Sequence, residues 1–146
     1  MGIFGKLLGN KTKDAVQRFS GNTDFLEALC AGCALTAAAE GGIDDAEYDT
    51  VLKVIQSNSA ISAGFSARDI ESCFSRMAPK TATRMGKSEL KREIEEAIKR
   101  DQGMAEAIVL ACLDVADTGG ISPAEETVMK QIAELAGVNY AKLKDG

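Results

Sequence analysis

Apolar positions in this chain recur at helical spacing, and they do so twice. Cys30, Ala31, Ala34, Leu35 and Ala38 follow an i, i+1, i+4, i+5, i+8 pattern, and Ile108, Val109, Cys112, Leu113 and Ala116 repeat it 78 residues later. Each set makes one wide apolar face, so both segments are predicted as buried helices. Each is followed by a Gly-Gly turn, Gly41-Gly42-Ile43 and Gly119-Gly120-Ile121, and then by a helix start. Asp44 precedes Glu47 by three positions, and Ser122 stands likewise before Glu125, with Pro123 at the first helical position. The helices so opened carry Tyr48, Val51, Leu52 and Ile55 in one copy, and Val128, Met129, Ile132 and Leu135 in the other. Gly137 stops the second.

Between these halves, Ser66 and Asp69 open a helix with Ile70, Cys73, Phe74 and Met77 inward, ended by Pro79. A more charged helix runs from about Lys87 to Arg100, with Leu90, Ile94, Ala97 and Ile98 as its apolar stripe. The pattern predicts an all-α, single-domain bundle of about seven helices, built from two pseudo-two-fold-related helix-turn-helix halves. The halves span about residues 23–58 and 102–137, within a domain covering 21–146 that follows an N-terminal segment, 1–20.

Composition agrees with a helical domain. The chain has 146 residues, 45% of them apolar, enough to fill one core, while aromatics make up 5% and prolines number two. No apolar run reaches the roughly 18 residues that span a bilayer, and no signal core is evident, which predicts a cytoplasmic protein. Cys30, Cys33, Cys73 and Cys112 lie inside apolar helical patterns and are expected as reduced, buried thiols.

The net charge of −5 is unevenly spread. Residues 37–50 hold Glu40, Asp44, Asp45, Glu47 and Asp49, residues 114–126 hold Asp114, Asp117, Glu125 and Glu126, and neither window contains a lysine or arginine. Such blocks attract cations and repel nucleic-acid phosphates. An EF-hand reading of the second turn would put Asp114 first, Gly119 sixth and Glu125 twelfth, but Ala116 and Thr118 then occupy ligand positions. The Cys30-x-x-Cys33 spacing has no second CxxC, and the chain has no histidine to complete a zinc site or serve as a general base. Catalysis is therefore not expected. Carboxylates near the two turns, Glu40, Asp44, Asp45, Glu47, Asp114, Asp117 and Glu125, are the candidate ligands for a divalent cation such as calcium, magnesium, manganese or zinc. Helix capping alone accounts for Asp44, Glu47, Ser122 and Glu125. It does not account for Glu40, Asp45 and Asp49, or for Asp114 and Asp117.

The run MGIFGKLL, the helix LCAGCALTAAAE leading into GGIDDAE, the segment FSARDIESCF and the closing AIVLACLDVADTGGISPAEETVMKQIAELAGV together resemble the TerB family of tellurite-resistance proteins. The resemblance implies an all-helical, non-enzymatic protein of tellurite and chemical-stress resistance. It would assemble with other tellurite-resistance proteins, namely a TerC-like membrane protein and TerD-like proteins. It also implies an acidic metal site, falling here on Glu40, Asp44 and Glu47 in the first copy and on Asp117 and Glu125 in the second. The second copy departs from the family pattern: Thr118 stands where an Asp is usual, and Ser122 replaces an acid, so the first half is expected to be the stronger ligand donor.

Residues 1–19 place Ile3, Phe4, Leu7, Leu8, Val16 and Phe19 among Lys6, Lys11, Lys13 and Arg18, a basic amphipathic element. It fits peripheral contact at the inner face of a membrane, or a first helix packed on the bundle. The functional expectation is a cation-binding module in a membrane-associated stress complex. The alternative is a metal-independent helical scaffold whose acidic surface docks a basic protein partner.

Overall fold

The structure, a computed structural model, describes residues 12–118 and 120–145. Helical residues 12–17 form α1. There follow α2 (Thr23–Ala37), α3 (Asp45–Ser57), α4 (Ser59–Ser62), α5 (Ala67–Met77), a 3-10 turn (Ala78–Ala82), α6 (Arg84–Arg100), α7 (Met104–Asp117), α8 (Pro123–Ala136) and α9 (Tyr140–Asp145). Among the described residues there is no strand, so the all-α, single-domain expectation holds. The helices predicted from the pattern are all present, joined by two short ones, α4 and α9, that it did not suggest.

Helix α2 is the centre of the bundle. Phe25, Leu26, Leu29, Cys30, Cys33 and Leu35 are buried along it, as are the small residues Ala28, Ala31, Gly32 and Ala34. A helix apolar around most of its circumference must be enclosed, and α5, α6, α7 and α8 enclose it. Phe25 stacks between Phe19 and Phe65, with ring centroids 5.3 and 6.1 Å away. Val16 and Phe19 are buried in the same core, and the Thr12 hydroxyl donates to the Leu110 carbonyl at 3.4 Å. Residues 12–19 therefore pack on the bundle. The rest of the basic amphipathic segment, residues 1–11, lies outside the described residues.

Local signals set the helix starts. Asn22, Asp44, Ser66, Thr83 and Ser122 each accept a hydrogen bond from a backbone amide in the first turn they open. The duplicated starts are seen at α3 and α8, which begin at Asp45 and Pro123 under the same cap geometry. At α8 the capping box is complete: Ser122 accepts from the Glu125 amide at 3.2 Å, and Glu125 accepts from the Ser122 amide at 2.9 Å. The surroundings of the two helices differ, since α3 packs mainly on α5 and α4 and less on α2, while α8 packs on α7, α6, α2 and α9.

Candidate functional site

The two turn regions meet at one cleft of about 430 Å³. Its mouth carries Asp44 and Glu47 from the start of α3 and Glu125 from the start of α8. Its walls are Val51, Val54, Val115 and Ala116, and its floor is formed by Cys33 and Thr36 of α2 and Cys112 of α7. The arrangement follows from the bundle: α2 and α7 run side by side, and the helix that leaves each turn projects its first carboxylates over the seam between them.

At the mouth, Asp44 Oδ1 accepts from the Glu47 amide at 2.7 Å and Glu125 Oε1 accepts from the Ser122 amide. One oxygen of each carboxylate thus holds a helix end, which fixes the side chain. Glu47 is exposed. Among the described residues no lysine or arginine lines the cleft, so its negative charge is not neutralised locally.

The other predicted ligands lie elsewhere. Glu40, Asp45 and Asp49 are exposed and outside the cleft lining. Asp114, half-buried on α7, accepts a hydrogen bond from the Asn58 side-chain amide, while Asn58 Oδ1 caps α4 by accepting from Ala60 and Ile61 at 3.0 and 3.1 Å. Asp117 is half-buried at the end of α7 and does not line the cleft. The acids that capping explains are the ones that converge, and those it left unexplained are dispersed. Among the described residues no three cysteine or carboxylate side chains are gathered closely enough to hold a metal ion as they stand.

The floor was missed by pattern reading. All four cysteines are free and buried, yet the Cys30-x-x-Cys33 pair does not act as a unit. Cys30 interacts with Cys73 of α5, and Cys33 with Cys112 of α7. The Cys33 thiol is pushed well up from its ordinary pKa, first by the neighbouring Cys112 thiol and then by burial. Cys30 is raised similarly by Cys73 and burial, while Cys73 is lowered, chiefly by its hydrogen-bonding contact with Cys30. Cys112 reaches this position because α2 presents Gly32 to it: a Cβ added at Gly32 would lie 2.6 Å from Cys112 Sγ. In the sequence, the only signal was a glycine inside an otherwise strong helical pattern.

Searches of curated proteins and of solved structures gave no match to the chain. The family described as tellurite resistance protein TerB matches residues 26–145, a span from the first turn of α2 through α9 that includes every residue of the cleft. The chain belongs to the TerB family of tellurite-resistance proteins.

Proposed function

We propose that this TerB-family domain is a non-enzymatic binding module of tellurite and chemical-stress resistance, and that it takes a hydrated divalent cation at the mouth of the cleft. The observation carrying the reading is the convergence of Asp44, Glu47 and Glu125 from two distant turns on one opening with no basic residue in its lining. Oxygen donors of this kind suit calcium, magnesium or manganese. Since no compact three-ligand group is present among the described residues, the ion keeps most of its water and is held through one or two carboxylates. Glu40, Asp45, Asp114 and Asp117, which do not line the cleft, add to the surrounding negative potential instead of serving as direct ligands. Docking to a TerC-like membrane protein or to TerD-like partners, at the cytoplasmic face, belongs to the same proposal. Among the described residues no helix is long and apolar enough to cross a membrane.

Calorimetric titration of calcium, magnesium and manganese into the native chain tests the reading. Heat that saturates, and that is lost in a Glu47→Gln, Glu125→Gln variant, is the expected result. Absence of heat, or heat unchanged in that variant, would favour the metal-independent scaffold. For that second reading the supporting observation is the exposure of Glu40, Asp45 and Asp49 away from the cleft, a face suited to a basic protein partner.

A further inference from the structure

The cleft has two chemically different ends. Its mouth offers hard carboxylate oxygens, while its floor offers two sulfurs, Cys33 and Cys112, framed by Val51, Val54 and Val115. Hard cations keep water and oxygen ligands and have no reason to travel inward. Thiolates select soft cations instead. Zinc would want four ligands, and among the described residues no third cysteine or carboxylate joins the two thiols. Two sulfurs in an apolar enclosure suit a soft ion that is content with two-coordinate, linear ligation.

We infer that Cys33 and Cys112 form a binding site for a soft, thiophilic divalent cation, drawn in through the carboxylates at the mouth of the cleft. Binding replaces two S–H bonds by two metal–sulfur bonds: M²⁺ and two thiols give a neutral dithiolate complex and two protons, with no change in oxidation state. Neutrality favours the site, because the walls are apolar and burying a net charge there would be costly. Because a thiol ligates as thiolate, loading releases protons and tightens as pH rises. The second thiol pair, Cys30 and Cys73, is a weaker candidate. Cys30 is fully buried and does not line this cleft, and Cys73 borders a different hollow whose rim carries the Arg76 cation along with Glu27 and Asp69.

The inference shares with the proposed function a cleft that draws cations, but it uses different ligands. The reduced full chain is loaded with mercuric ion in the presence of magnesium and excess monothiol, digested with trypsin, and analysed by mass spectrometry. A metal bridge between the peptide 19–53, which carries Cys30 and Cys33, and the peptide 101–130, which carries Cys112, is expected, with fragmentation placing the metal on Cys33 and not on Cys30. A Cys33→Ala, Cys112→Ala variant should retain mercury against the monothiol on the order of 100-fold less well, because the second thiolate of the native site is already in place. Glu47→Gln with Glu125→Gln should slow loading at low salt and leave final retention intact. A bridge from 19–53 to 69–76, the peptide of Cys73, would overturn the assignment, as would equal retention in the cysteine variant. Should that variant fail to fold, the bridge in the native chain, located by fragmentation to Cys33 or Cys30, decides alone. Calcium and manganese titrated into the folded cysteine variant report on the carboxylates alone, so the two readings fail separately.

Discussion

Replacing Gly32 by alanine sets two effects of opposite sign against each other. In a helix interior the change should stabilise by about 1 kcal/mol through backbone propensity. Gly32 is buried in α2, however, and its new Cβ would meet Cys112 Sγ at 2.6 Å, about a full ångström inside van der Waals contact. The next neighbours, Ile132 Cδ1 and Ile94 Cδ1, stand at 3.9 Å and leave no slack. Sulfur is the whole of the Cys112 side chain beyond Cβ, so relief requires a new rotamer or a shift of α7, and overpacking of this kind costs about 1–3 kcal/mol. The sum is a net loss of up to about 2 kcal/mol, a fall in Tm of roughly 4–8 °C for a chain this size. The decisive assay is a double-mutant cycle by urea unfolding with Gly32→Ala, Cys112→Ala and their combination. Removing the sulfur should rescue Gly32→Ala, with a favourable coupling of about 1–3 kcal/mol. A Gly32→Ala protein more stable than the parent, or a coupling near zero, would refute the contact that places Cys112 beside Cys33.

Gly86→Ala should be more damaging, about 3 kcal/mol or more, because its Cβ would fall 2.0 Å from the Lys80 carbonyl oxygen, a backbone atom that cannot rotate away; thermal unfolding would show it. Asn58→Asp keeps the oxygen that caps α4 but sets a carboxylate against Asp114, so it should destabilise by about 1–2 kcal/mol at neutral pH and recover on acidification, whereas parent-like urea unfolding at neutral pH would dismiss the Asn58 to Asp114 link. Glu126 is held below the usual carboxylate range, first by its bond to Lys144 and further by Tyr140. Its folded pKa is depressed, so its contribution is present above the unfolded value and lost as pH falls through the folded one; Glu126→Gln should flatten the acid side of a stability-against-pH curve and leave stability below both pKa values unchanged.

Much of the helical frame could be read from residues alone, because its signals are local. Ser66 caps α5, Ile70, Cys73, Phe74 and Met77 make its buried stripe, and Pro79 stands just beyond its end. Gly137 ends α8 in the left-handed conformation, with φ at 76°. Helix α6 starts at Arg84, three residues ahead of the start at about Lys87 that its apolar stripe predicts. Its cap is Thr83, and its first turn is held where Gly86 passes over Lys80, a tertiary approach with no sequence period. Helix α4 is a single turn sustained by Asn58, too short for a pattern to register. The same limit applied at the site. Capping chemistry identified Asp44, Glu47 and Glu125 one turn at a time, but their shared opening, and the thiols beneath it, arise from the approach of α2 to α7 across most of the chain.

The enclosure of α2 also has a consequence for synthesis. Its partners α5, α6 and α7 end at Met77, Arg100 and Asp117, so an emerging chain carries this nearly all-apolar helix only partly covered until about 80 further residues have been added. At translation speeds of about 5–20 residues per second the wait is roughly 4–16 s, far longer than helix formation or collapse takes. A nascent chain arrested before α6 should therefore be sensitive to protease and bound by chaperones. One completed through α8 should not, which would make the duplicated halves a single unit of folding despite their separate turns.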